Sequence, residues 1–179
     1  MTEQPKDVLL RFGAVLARLL QWLSALAGGV ALLLVPVVLL ISQGMLPGLG
    51  GENGIDIVEA SPLAAVALLA AIAASLATLF LFFGRLRAII GTVQEGDPFI
   101  PENARRLEAM AWLLLGWEVL AVLVGLLRLH LANLVMEIDN SLDWSFADLD
   151  GLLVIVILFI LARIFRHGAE MREDLEGTV

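Results

Sequence analysis

Glu118 is the residue whose type and place in the chain most invite a chemical role. It stands about two helical turns inside an apolar stretch, where an ionised carboxylate costs a few kcal/mol to insert and seldom faces lipid. One reading makes it a proton-binding or cation-binding group, and so a coupling site for transport or sensing. The other makes it half of a structural ion pair, with Arg163 as first partner and Arg18 as second. Arg128 and His130 come later in the same stretch, placed either to hold an anionic ligand or to pair with Glu137 and Asp139. The acidic run Glu137-Ile138-Asp139-Asn140-Ser141-Leu142-Asp143 lacks the spacing and the glycine of a calcium-binding EF-hand loop, so no metal site is assigned to it. Membrane proteases and phosphatases need a nucleophile beside a base, or clustered His and acidic metal ligands. Neither the two histidines nor the serines are arranged in that way, so neither an enzyme nor a cofactor is expected. With zero cysteines, disulfides, thiolate chemistry and Cys-ligated metals are ruled out.

The elements that must position these groups are set by an unusual solvent. Hydrophobic residues make up 60% of the 179 positions and charged ones only 17%, well beyond the apolar share of soluble domains. The apolar residues are gathered into blocks long enough to cross a hydrocarbon layer of roughly 30 Å, which takes about 20 helical residues. Spans are predicted over residues 18–42, 62–84, 110–135 and 146–166. The first is followed by the breaker-rich run Gly44-Met45-Leu46-Pro47-Gly48-Leu49-Gly50-Gly51 and is too long for a signal peptide. Pro36, after Gly28 and Gly29, is a place for it to bend. Ser61-Pro62 opens the second, with Ser as cap and Pro in the first turn. The uninterrupted apolar core of the fourth, from Gly151 to Ala162, is short. Its flanks argue for a span: a capping box at Ser145-Phe146-Ala147-Asp148, Trp144 for the outer interface, and Arg163 and Arg166 to snorkel inward.

Between the second and third spans, residues 85–109 are expected to form a helical hairpin at the membrane surface. Leu86, Ile89, Ile90 and Val93 make one apolar face at i, i+3, i+4 and i+7, so the second helix should continue past Arg85 and Arg87. Gly96-Asp97-Pro98 ends it and Pro101-Glu102-Asn103 starts the next. If the spans alternate, Lys6, Arg11, Arg18, Arg85, Arg87, Arg105, Arg106, Arg163, Arg166 and Arg172 share one side, leaving Arg128 near the other. The positive-inside bias then puts the hairpin and both termini in the cytoplasm. The opposite loops carry Glu52, Asp56, Glu59, Glu137, Asp139, Asp143 and Asp148. Lys6 is the lone lysine among 11 basic residues, which suggests a GC-rich bacterial genome and hence the bacterial cytoplasmic (inner) membrane.

The net charge of −8 resides mostly in an outer loop and the tail, and gives no support to nucleic-acid binding. The loops are too short for a core of their own, so residues 1–179 form a single membrane domain, and no internal repeat supports an inverted-repeat transporter. Ala67, Ala71 and Ser75, with Ala70, Ala74 and Thr78 on the adjacent row, should make the second span the packing centre, while Ser24 and Gly28 repeat the small-residue spacing in the first. The same stripes could instead mediate homo-oligomerisation. The fourth span, bulky and β-branched from Val154 to Ile160, suits a lipid face. The tail, residues 167–179, is acidic, with Met171 and Leu175 one turn apart: either a solvated helix end or a docking strip for a basic cytoplasmic partner.

Gly96-Asp97-Pro98-Phe99, running on through Glu102-Asn103-Ala104-Arg105-Arg106-Leu107, and the tail Arg172-Glu173-Asp174-Leu175-Glu176-Gly177-Thr178-Val179 are more specific. With four spans, they resemble a bacterial family of small membrane proteins of unknown function, many encoded beside a small Cro/cI-type helix-turn-helix regulator. The resemblance covers nearly the whole chain and transfers no catalytic residues. Other members carry Asp-Gln-Glu-Leu-Thr where this tail has Asp174-Leu175-Glu176-Gly177-Thr178. It implies that hairpin and tail meet a cytoplasmic regulator, with Asp97, Phe99, Arg105, Arg106, Arg172, Glu173 and Asp174 as docking candidates. The expectation is an all-α, four-helix transmembrane bundle acting as a membrane-anchored regulatory or scaffolding protein. The alternative is a small proton-coupled transporter using Glu118 as an oligomer.

Overall fold

The computed structural model describes residues 5–45, 58, 61–135 and 149–176. Among the described residues four long helices make up an all-α bundle: α1 (Pro5–Ser42), α2 (Pro62–Gln94), α3 (Pro101–Val135) and α4 (Leu149–Glu176). Each holds a stretch long and apolar enough to cross a bilayer, with mean hydropathy between 2.1 and 2.6, so the chain is a multi-pass integral membrane protein. Every helix exceeds its expected span. Hydropathy marks only the part that lipid must cover, whereas backbone hydrogen bonding propagates until a breaker stops it. α1 runs through Pro36 as one continuous helix. The expected cap at residues 145–148, Trp144 and the acidic loop residues Glu52, Asp56, Glu59, Glu137, Asp139, Asp143 and Asp148 lie outside the described residues.

Two helix ends show why they stop. After α1 the Met45 N–H donates to the Leu40 carbonyl at 3.0 Å around Gly44, whose φ is +70°. After α2 the Asp97 N–H donates to the Thr92 carbonyl at 3.0 Å around Gly96, whose φ is +87°. Both are Schellman closures, and the left-handed residue is glycine because a Cβ there would be strained. Pro62 and Pro101 open α2 and α3 at the first helical position, where the missing N–H would have no partner.

The helices pack in two units. One comprises Met1–Leu23, Thr78–Gly116 and Phe146–Val179. Its buried cluster joins Ile89 of α2, Leu107, Met110 and Ala111 of α3, and Ile155, Leu158 and Ala162 of α4, with Leu86, Val93 and Phe165 packed against it. The apolar face expected after Arg85 therefore does enter a core through Leu86, Ile89 and Val93. α4 is two-sided: Val154, Val156, Ile157 and Ile160 face outward as expected, but Ile155 and Leu158 between them are buried. A helical stripe takes every third or fourth residue, so a continuous β-branched run cannot all face lipid.

The other unit comprises Ser24–Ala77 and Trp117–Ser145 and packs through small side chains. Ser24, Gly28 and Ala31 form one buried stripe of α1. A Cβ on Gly28 would lie 3.4 Å from the Leu76 Cβ, so the two backbones approach as closely as glycine permits. On α2 the buried alanines are Ala64, Ala65, Ala71 and Ala73, whereas Ala70 and Ala74 of the expected second row are exposed. Alanine fits lipid as readily as an interface, so spacing alone did not choose the row.

Candidate docking surface of the hairpin and C-terminal helix

The connection between α2 and α3 is held by Asn103, which is 0% exposed. The Thr92 hydroxyl donates to the Ile89 carbonyl at 2.8 Å, so its oxygen has only lone pairs left to offer, and the Asn103 amide nitrogen donates to it at 2.7 Å. The same nitrogen donates to the Pro98 carbonyl at 2.9 Å, and the amide oxygen accepts from the Arg106 guanidinium at 2.8 Å. One buried side chain thus ties the last turn of α2, the turn itself and the first turns of α3.

α4 lies against this hairpin within the same unit. The Phe99 ring meets Phe165 at a centroid distance of 5.1 Å. Across from it, a Cβ on Gly168 would fall 2.8 Å from the Phe99 Cδ1, so only glycine leaves a seat for the ring. Arg172 forms an ion pair with Asp97, and the Arg166 Nη2 donates to the Glu108 Oε2 at 2.7 Å. These ion pairs are half-exposed, so they fix register more than they stabilise. Beside them opens a groove of about 860 Å³ walled by Phe99 and by the face of α4 that carries Ile160, Arg163, Ile164, His167 and Met171.

Of the seven docking candidates read from sequence, Asp97, Phe99 and Arg172 take part in the contact between hairpin and α4. Asp97 and Phe99 of the hairpin touch α4 through Arg172, Phe165 and Gly168. Arg105 instead pairs with Glu102 on its own helix, and Arg106 serves the Asn103 lock. Glu173 and Asp174 are exposed near the end of α4, which continues as helix to Glu176. Gly177, Thr178 and Val179 lie outside the described residues. Arg163 is exposed and makes no hydrogen bond or ion pair within its own unit among the described residues. Glu118 belongs to the other unit, half-buried on α3, and has no ion-pair partner within it among the described residues. Arg128 and His130 are exposed on the same helix. Among the described residues, no three His, Asp or Glu side chains gather as metal ligands.

Sequence reasoning passed over Asn103 as a lock, together with Thr92, Glu108, Phe165 and Gly168. The available signal was Asn103 itself, a polar residue two places after a helix-opening proline and on the side occupied by Leu107 and Met110, one and two turns on.

Over residues 20–179 the chain matches the family described as Protein of unknown function (DUF2975). No curated protein and no solved structure matches it.

Proposed function

We propose, from the premise that the chain belongs to the DUF2975 family of proteins of unknown function, that it is a membrane-anchored docking protein with no reaction of its own. The α2–α3 hairpin and the end of α4 together present one surface to a water-soluble partner. The observation that carries this reading is the joining of the two candidate strips by Asp97 with Arg172 and by Phe99 with Phe165. Two short segments that were separate candidates thereby become one composite surface. The basic-residue bias supports placing this surface, and both termini, on the cytoplasmic side of a bacterial inner membrane. A small helix-turn-helix regulator, held at the membrane rather than on DNA, is the partner class this reading favours. The exposed carboxylate of Glu173 offers charge complementary to a basic DNA-binding face.

The test is capture of that partner by the intact protein in detergent. A photo-crosslinking residue at Phe99 and another at Glu173 should both capture the same soluble protein. Glu173→Arg should release it while helix content stays unchanged. Capture of different proteins at the two positions, or of none, would remove the composite surface from the account.

The position of Glu118 favours a second reading. A carboxylate within a span and without an ion-pair partner in its own unit is suited to bind a proton, as a coupled transporter acting as an oligomer requires. If Glu118→Gln inserts normally and abolishes a proton-linked flux in vesicles, transport replaces docking as the leading role. Pairing of Glu118 with Arg163 is tested by the double variant, which should restore whatever stability either single change removes.

A further inference from the structure

The groove beside Phe99 has the chemistry of a lipid site. From Asp150 to Arg163 α4 rises about 20 Å, less than the roughly 30 Å of hydrocarbon that a span must cross. Measured from Asp150, Arg163 thus falls on the acyl-chain side of the boundary with the headgroups, and its charge has no protein partner within its own unit among the described residues. Its helical neighbours Ile160 and Ile164 are exposed and continue the apolar surface of the span. One turn further on, the groove is lined by His167 and by Phe99 of the hairpin, and beyond them by Met171. The groove, about 860 Å³ in volume, also holds Glu170, but that carboxylate lies 3.5 Å from the His167 Nδ1 and Arg166 is paired with Glu108, so Arg163 is the cation left to meet a ligand, and an apolar wall beside one such arginine fits a single amphiphile of negative charge.

We infer that this groove binds one anionic phospholipid, whose phosphate lies on Arg163, next to the His167–Glu170 pair, and whose acyl chain follows Ile160 and Ile164. The phosphate supplies the acceptors that Arg163 lacks and removes the need for it to stretch through hydrocarbon to reach water. Phe99 closes the outer wall, so the lipid also touches the hairpin. The inference requires only that α4 spans, and holds for either sidedness and with or without a soluble partner.

The experiment titrates the purified full-length chain, in an uncharged maltoside detergent, with phosphatidylglycerol or phosphatidylcholine and counts bound lipid by native mass spectrometry. Phosphatidylglycerol should give a saturable adduct of one lipid, phosphatidylcholine should not, and excess inorganic phosphate should not displace it. Arg163→Gln should weaken the adduct roughly fivefold, the effect of one basic residue at an anionic surface. Arg87→Gln, which removes an exposed arginine outside the groove, should leave the adduct within about twofold of the original. Ile164→Trp, which fills the groove with Arg163 intact, should weaken it by a factor like that of Arg163→Gln. Equal losses from Arg163→Gln and Arg87→Gln, unchanged binding in Ile164→Trp, displacement by free phosphate, or a dimer peak in place of a lipid adduct would each overturn the inference.

Discussion

Asn103→Ala should be the most damaging single truncation in the α2–α3 connection. The wild-type side chain makes two donor bonds, to Thr92 and Pro98, and one acceptor bond, to Arg106. Arg106 is only half-buried, so its guanidinium recovers water when the partner is lost. The Thr92 hydroxyl keeps its own bond to the Ile89 carbonyl and loses only what it accepts. What does not recover is the fully buried site, which becomes a cavity beside polar atoms without a donor. Two net hydrogen bonds at about 1 kcal/mol each, with a cavity contribution of similar size, put the loss at about 2–4 kcal/mol. Thr92→Val removes one of these bonds and fills its own space, so it should cost only about 1 kcal/mol. Asn103→Asp keeps the acceptor for Arg106 but turns a carboxylate oxygen toward the Pro98 carbonyl, and should be nearly as costly as alanine. Reversible unfolding in mixed micelles, followed by circular dichroism, measures all three. A loss below about 1 kcal/mol for Asn103→Ala, or a larger one for Thr92→Val, would show that the amide is not what holds the turn.

Other perturbations probe other links. A double-mutant cycle of Asp97→Asn and Arg172→Gln should give a coupling of only about 0.2–1 kcal/mol, falling as salt rises, because the two side chains are 38% and 47% exposed. Gly28→Ile should destabilise by about 1–3 kcal/mol through contact with Leu76, whereas Gly29→Ile, with no neighbour within 4 Å, should be close to neutral in the same unfolding assay. Glu95→Cys, in a chain with no native cysteine, should react with an impermeant maleimide only once the cytoplasmic face is opened. Labelling of intact cells would reverse the orientation.

The spans were legible because lipid imposes a single, coarse requirement: some twenty apolar residues in a row. Pro62, Gly96 and Pro101 were legible for a different reason, since missing N–H groups and left-handed φ angles are properties of single residues. The hairpin face of Leu86, Ile89 and Val93 was readable because water on one side leaves an amphipathic stripe. Within the spans that contrast disappears. Ala70 and Ala74 look no different from Ala71 and Ala73, and Ile155 no different from Val156, because both sides of a helix in lipid are apolar. The site was half visible. Asp97, Phe99 and Arg172 stood out as charged or aromatic residues near breakers, but their partners Phe165 and Gly168 lie on another helix, and nothing in their local sequence announces the contact.

The Asn103 lock uses only residues between Ile89 and Arg106, all made before α4 leaves the ribosome. The second and third helices can therefore set as a finished pair during synthesis, with Phe99 displayed but unseated. α4 then arrives as a latch, and Gly168 is the notch that receives the ring. Defects in the lock should spoil insertion of the hairpin itself, whereas defects in the notch should leave a stable three-helix intermediate whose last helix hangs loose.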